Sequence, residues 1–167
     1  MGRVFIFGLL LSGILLFAGC GVYSFTGASI DGKTIRIQTM ENRAQNVVPT
    51  LSANLTDQIR SRILSQTGLA PVNTENADYD ISGVITGYQF TVTGVSENQQ
   101  ASQNRLTITL QVTFKNRLDP KADFTQTFSR FGDFPASQSI QAAEARLIES
   151  IGKELADDIF NKAFVNW

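Results

Sequence analysis

The chain has 167 residues, one cysteine, no histidine, and 14 Lys+Arg against 15 Asp+Glu, a net charge of −1. Without histidine there is no Ser-His-Asp triad and no imidazole metal site, and one cysteine cannot form an internal disulfide. Near-neutral charge leaves no basic footprint for nucleic acid and no polybasic patch for anionic lipid headgroups.

The first segment carries one charge, Arg3, then an apolar run from Val4 to Phe17, and closes on Ala18-Gly19-Cys20. A charged start, a short apolar stretch and small residues at the end read as a secretory signal peptide over residues 1–19. The run is shorter than the about 20 apolar residues that a membrane-spanning helix needs. A cysteine directly after two small residues resembles a bacterial lipobox, with Phe17 where leucine is usual. Cys20 is therefore the expected site of lipidation, carrying a covalent diacylglycerol and acyl chain. Each buried methylene contributes roughly 0.8 kcal/mol, so two or three chains anchor a protein durably. Cleavage before Cys20 leaves 148 residues and, with Arg3 gone, 13 cations against 15 carboxylates. Lipid on Cys20 also removes the only thiol from catalysis and metal binding. With no nucleotide-binding loop, zinc-helix or nucleophile-elbow motif present, the chain reads as a non-enzyme without cofactor or metal beyond its lipid.

Residues 20–33 are short and polar enough to serve as a lipidated tether, although Tyr23 and Phe25 are too hydrophobic for a pure linker. A single domain is expected over 34–167, a size that buries about 68–70% of its unfolded surface. Thr34 to Met40, with Ile35 and Ile37 alternating with polar residues, predicts a first strand. From Pro49-Thr50 the pattern turns helical: Leu51, Leu55, Ile59 and Ile63 recur every four residues, and Gly68 supplies a stop. Residues 79–95 are β-rich, and the apolar phase flips at Gly87, which predicts a bulge or bend. Gly94 to Asn104, rich in Ser, Asn and Gln, reads as an exposed hairpin tip.

The clearest strand follows, with Leu106, Ile108, Leu110, Val112 and Phe114 alternating with Thr107, Thr109, Gln111, Thr113 and Lys115. Asn116 to Asp123 is a turn, Phe124 to Phe131 a further strand, and Asp133 to Ser137 a break before a helix reaching about Ala163. That helix carries a stripe of Ile140, Ala143, Leu147, Ile151, Leu155 and Ile159. The expected fold is α+β: a two-layer sandwich with two helices packed on a four-stranded, largely antiparallel sheet, in the order β-α-β-β-β-α.

Two features bear on function. The row Thr107, Thr109, Gln111, Thr113 makes an uncharged polar sheet face, which suits either solvent or a protein wall met without the desolvation cost of charge. Arg105, Lys115, Arg117, Lys121 and Arg130 fall near strand ends, either as solvated rim charges or as a cradle for phosphates. The carboxylates Glu154, Asp157 and Asp158 read as a solvated helix face, and Phe124, Phe128, Phe131 and Phe134 as core.

Several stretches resemble the LptE family of lipopolysaccharide-assembly outer-membrane lipoproteins, in its Bacteroidetes form. The resemblance covers essentially the whole chain after the leader. It is carried by Cys20 to Ile30, by Asn104-Arg105-Leu106-Thr107-Ile108-Thr109, by Phe128-Ser129-Arg130-Phe131, and by Asp158 to Ala163 with the ending at Trp167. It implies a non-catalytic plug inside an LptD-type outer-membrane β-barrel that helps the barrel assemble and assists lipopolysaccharide transport to the cell surface. It implies the fold of two helices against four strands as well. A polar Thr/Gln face is what a hydrophilic barrel lumen requires. Gly21 carries no acidic retention signal, compatible with an outer-membrane location on the periplasmic side or within the lumen. No family motif assigns lipopolysaccharide contacts residue by residue, so the five cations stand as candidates by charge and position alone.

Two other functions compete. One is an outer-membrane lipoprotein that activates a periplasmic cell-wall synthase, but about thirteen residues of tether span at most roughly 45 Å, favouring a partner close to the membrane. The other, a carboxylate-based hydrolase, has no supporting motif.

Overall fold

The computed structural model describes residues 30–46, 48–95 and 101–165. The leader, Cys20, the tether before Ile30, the hairpin tip at 96–100 and Trp167 lie outside the described residues. The elements run β1 (Thr34–Ile37), β2 (Glu41–Asn42), α1 (Leu51–Thr67), β3 (Ala70–Pro71), β4 (Tyr79–Val95), β5 (Ala101–Asn116), a 3₁₀ turn (Pro120–Ala122), β6 (Phe124–Pro135) and α2 (Ile140–Phe164).

Helix α1 buries the expected stripe of Leu51, Leu55, Ile59 and Ile63. It stops at Gly68, whose φ of 66° and ψ of 11° lie in the left-handed region that glycine reaches without steric penalty. Helix α2 opens on Ser139, whose hydroxyl oxygen accepts from the Ala142 N–H. Its inner face buries Ala143, Leu147, Ile151, Leu155 and Ile159, widened by Ile148 and Phe160. The two helices cross at Gly152, where a Cβ would stand 3.2 Å from Leu55 Cδ2 and 3.3 Å from Gln58 Cγ.

The sheet corrects the expectation of four largely antiparallel strands. It is mixed and six-stranded, in the order β3-β1-β4-β5-β6, with β2 also pairing β4. Strands β1 and β2 run parallel to β4, and β3 runs parallel to β1. Only the pairs β4–β5 and β5–β6 are antiparallel. The cause is topological: α1 connects the first strands to β4, and a strand–helix–strand crossover brings the chain back in its original direction.

The strand predicted over Thr34 to Met40 stops at Ile37, and a second, unpredicted strand begins at Glu41. The Met40 N–H donates to Thr56 Oγ1 at 3.0 Å, and the Met40 carbonyl accepts from the Ser52 hydroxyl. Both acceptors and donors come from α1, so Met40 leaves the ladder and pairing resumes at Glu41 opposite Val84. Short β3 is held by Ala70 N–H to Lys33 O at 2.8 Å and Val72 N–H to Ile35 O at 2.9 Å.

In β4 the register shifts between Ile85 and Gly87, so Ile85 faces Leu110 and Tyr88 faces Ile108, both on the helix side. This is the expected phase flip. Strands β4 and β5 continue as a paired ladder up to Val95 and from Ala101, into the stretch predicted as loop, because ladder bonds need only the backbone. Likewise β6 does not break at Asp133 but runs to Pro135, paired with Gln103.

Both helices cover one sheet face, and the core lies between the layers. At one end Tyr79, Phe114, Phe124 and Phe164 form an aromatic cluster: Phe164 meets Tyr79 edge-on at 5.4 Å and Phe114 at 5.5 Å, while Phe114 stacks on Phe124 at 5.4 Å. Ile30 packs against the core, and Gly32 N–H donates to the Tyr79 hydroxyl at 3.1 Å. The chain therefore comes onto the domain at the same end where α2 finishes. Among the described residues, no helix is long and apolar enough to cross a membrane.

Candidate functional site

The face of the sheet turned away from the helices is built rung by rung from the register of the three long strands. Its central rungs are Ser82–Thr113–Thr125, Val84–Gln111–Thr127, Gly87–Thr109–Ser129 and Gln89–Thr107–Phe131. None of these twelve residues carries charge. Cross-strand hydroxyl pairs tie the rungs together, Thr109 with Ser129 at 3.1 Å and Thr113 with Thr125 at 3.0 Å. The four residues expected to form one face, Thr107, Thr109, Gln111 and Thr113, thus sit in its centre, and strand pairing adds the rest.

Charge frames this face at its two ends. At the end near the aromatic cluster lie Arg36, ion-paired with Asp80, and Lys115 in register with Asp80. At the other end Arg105 makes two bonds to Asp133, Nε to Oδ1 at 2.7 Å and Nη2 to Oδ2 at 2.8 Å. Those bonds hold the Asp133 carboxyl below the usual carboxylate range. The Arg105 guanidinium also stacks 3.6 Å from the ring centre of Phe131, which is 49% exposed.

The five candidate cations are not gathered into one cradle. Arg105 and Lys115 are ten residues apart on β5, about 33 Å along an extended strand. Arg130 lies opposite Ile108 on the helix side and makes two 2.6 Å bonds to Asp158 of α2. Arg117 donates to the carbonyl of Asn76. Lys115, Arg117 and Lys121 share the β5–β6 end, where Asp119 caps the Lys121 N–H at 3.2 Å and Asp123 accepts from Asn116 N–H at 2.7 Å.

Of the helix carboxylates expected on a solvated face, Glu154 and Asp157 are exposed and Asp158 is half-buried, and two of the three are ion-paired. Asp158 holds Arg130, and Asp157 holds Arg62 at 2.7 Å. Among the described residues, no group of three or more His, Cys, Asp or Glu is placed to hold a metal. Of the four phenylalanines read as core, Phe128 and Phe134 are buried and Phe124 is half-buried, whereas Phe131 stands out on the polar face. Its odd position relative to Phe124 and Phe128 was the sequence signal for that outcome. Sequence reasoning missed a shallow groove on the helix side of the sheet's far end, about 360 Å³, lined by Phe90, Val92, Asn104, Phe134 and Ile140. The bulge that puts Phe90 and Val92 there is readable at Gly87, but helical cover ending short of them is not.

A two-layer α+β domain, helix-covered on one sheet face and polar on the other, is the class these features define. The family follows from the sequence itself: the family model described as "LptE: Lipopolysaccharide-assembly" matches residues 32–163, and the chain belongs to that family. Comparison with curated proteins gives no significant match. Among solved structures, rare lipoprotein B from Shewanella oneidensis is similar at 10% identity and TM-score 0.53, over 77% of this chain and 92% of that one. Lipoprotein B from Nitrosomonas europaea is similar at 13% identity and TM-score 0.53, over 78% and 81%. A minor lipoprotein from Acinetobacter baumannii gives 14% identity and TM-score 0.51, over 80% and 93%. At these identities the likeness is one of fold.

Proposed function

We propose that this chain is a non-catalytic outer-membrane lipoprotein that plugs an LptD-type β-barrel, helps it assemble, and assists lipopolysaccharide delivery to the cell surface. Residues 1–19 direct export, Cys20 carries the lipid, residues 20–33 form the tether, and 34–167 is the plug domain. The observation that carries the reading is the run of four uncharged rungs across β4, β5 and β6. Hydroxyls and amides exchange water for a polar wall with little desolvation cost, whereas charges buried there would need partners. Family membership supports the same assignment. Lipopolysaccharide phosphates are assigned first to Lys115, Arg117 and Lys121, because Arg105 and Arg130 already hold Asp133 and Asp158.

The test is affinity capture of the acylated, C-terminally tagged protein from its own outer membranes, followed by mass spectrometry. The expected result is a large LptD-type barrel near one to one. Capture of a periplasmic cell-wall synthase without a barrel overturns the reading in favour of an activator. Charge reversal of Lys115, Arg117 and Lys121 that leaves lipopolysaccharide binding unchanged removes the phosphate assignment.

A further inference from the structure

The two edges of the sheet are not alike. At one edge β3 is two residues long and ends on Pro71, which has no N–H to offer. At the other, β6 runs twelve residues and is bonded, among the described residues, only to β5. In an antiparallel pair one residue turns its N–H and C=O to the partner strand and the next turns them away. Half of the β6 residues therefore direct these groups outward. Among the described residues, the one backbone bond of β6 outside its ladder lies at its end, where the Pro135 carbonyl accepts from Gln138 N–H at 3.0 Å.

Proteins blunt such edges with lysine, proline, bulges, short strands or unpaired charge. Along its length β6 uses none of these. It carries no lysine, its only proline is the terminal Pro135, and its register runs from Phe124–Phe114 to Pro135–Gln103 without a bulge. Its two charges are folded back onto the domain, Arg130 to Asp158 of α2 and Asp133 to Arg105 of β5. Helix α2 covers one face of the strand, with Leu147 against Gly132, and leaves Thr125, Gln126 and Thr127 exposed.

The flank of α2 beside this edge is acidic. Asp158 takes both bonds from Arg130, while Glu154, one turn earlier, holds no ion pair among the described residues. Both carboxylates favour the Arg130 cation, Asp158 first through its hydrogen bonds and Glu154 through its charge. One cation against two carboxylates leaves a negative charge beside the middle of β6. That charge selects the occupant. A second copy pairing edge to edge, about a two-fold at Ser129 and Arg130, would set two such sites together, like charge against like. A barrel wall is closed and has no strand edge to give. An extended segment with a basic side chain meets both conditions.

We propose that the free edge of β6 is a strand-addition site for an extended segment of another protein, hydroxyl-bearing on one side and apolar with one lysine or arginine on the other. The added strand bonds the outward N–H and C=O groups between Thr125 and Phe131. Its hydroxyls continue the rungs at Thr125, Thr127 and Ser129, an apolar side chain lies beside Phe128, and its cation faces Glu154. The inference goes beyond the plug reading, since a closed wall cannot supply the strand.

The test is binding of the peptide Thr-Val-Thr-Val-Thr-Lys-Thr, with a dye at one end and an amide at the other, to the full acylated chain in detergent micelles, read by fluorescence anisotropy. Two further peptides keep every side chain and carry N-methyl groups on alternate amides, one on the odd set and one on the even. Only one set faces β6, so one methylated peptide should bind about tenfold more weakly and the other like the parent. Equal binding or equal loss in the two overturns the proposal, as does no binding at about 1 mM peptide. Glutamate in place of the peptide's lysine should weaken binding to the unchanged chain. At the exposed position 154, Glu154→Gln should make the two peptides bind alike, and Glu154→Lys should reverse their order. An order that neither variant moves overturns the proposal. Dimers of the unchanged chain that the peptide dissociates would make a second copy the occupant and overturn it too. Barrel capture is a separate readout, so failure here leaves the plug reading standing.

Discussion

Thr56 is the one buried polar side chain among the described residues, 3% exposed in the helix layer, and it is buried because it serves two neighbours. Its hydroxyl oxygen accepts from the Met40 N–H at 3.0 Å and its proton goes to the Ser52 carbonyl at 2.7 Å. Thr56→Val keeps the shape and strands the Met40 N–H in the core. A cost of about 1–3 kcal/mol is expected from urea unfolding, because an orphaned buried donor loses its full hydration. Thr56→Ser should recover most of it, and a loss in Thr56→Ser with none in Thr56→Val would mean that packing, not the hydrogen bond, matters. Asp78 plays the corresponding role at the sheet's edge. Its Oδ2 accepts from Lys33 N–H at 2.8 Å, Thr34 N–H at 3.0 Å and the Thr34 hydroxyl at 3.0 Å, and its own N–H donates back to Thr34 Oγ1. These donors, the Lys33 N–H first, lower its pKa below the ordinary 3.8. A depressed carboxylate contributes stability that is present above its unfolded pKa and is lost as pH falls through the folded one. The melting temperature of Asp78→Asn should therefore sit below that of the unchanged protein at pH 7, with the gap closing as pH drops under 3.8. A gap constant down to the lowest pH at which both proteins still fold would show that the charge of Asp78 is irrelevant.

Between elements, two glycines set how closely α2 can lie on its neighbours, and they should respond differently to alanine. A Cβ at Gly132 of β6 would stand 2.7 Å from Leu147 Cδ2, a buried contact under α2. Gly132→Ala should cost about 1–3 kcal/mol by overpacking. At Gly152 the nearest atoms, Leu55 Cδ2 and Gln58 Cγ, stand farther off at 3.2 and 3.3 Å, and alanine gains about 1 kcal/mol of helix propensity over glycine. Gly152→Ala should thus be close to neutral, and denaturant midpoints of the two variants decide it; a reversed order would mean that α2 moves freely over β6 but not over α1. Much of this layer is readable in the sequence. The stripes of α1 and α2, the stop at Gly68 and the bulge at Gly87 come from local spacing, which burial then respects. Strands β2 and β3, two residues each, carry no period to read and exist only because a neighbour offers a ladder. The end of β6 is hidden for the same reason: Gly132, Asp133 and Pro135 suggest a break, yet β5 extends alongside and pairs with them.

For the molecule as a whole, the candidate face was legible on one strand and illegible across three. Alternation places Thr107, Thr109, Gln111 and Thr113 together, but only register brings Ser82, Gln89, Thr125 and Ser129 beside them. The cations show the opposite failure. Arg105 and Arg130 look like neighbours by type, yet strand parity sends one to the open face and the other beneath α2, each to a carboxylate. That distribution separates two modes of binding by their response to salt. Exposed charges farther apart than about 8–10 Å are largely screened at physiological ionic strength, and a shorter Debye length weakens closer exposed pairs too, so a cradle of cations holding phosphates loosens as salt rises. A neutral hydroxyl and amide face flanked by internally paired charges has no such dependence. Raising sodium chloride from about 0.1 to 1 M shortens the Debye length from roughly 10 to 3 Å. Across that range the barrel captured with the chain should stay constant, while lipopolysaccharide bound through Lys115, Arg117 and Lys121 should be released. Loss of the barrel in step with lipopolysaccharide would mean that charge, rather than the four uncharged rungs, holds the complex together.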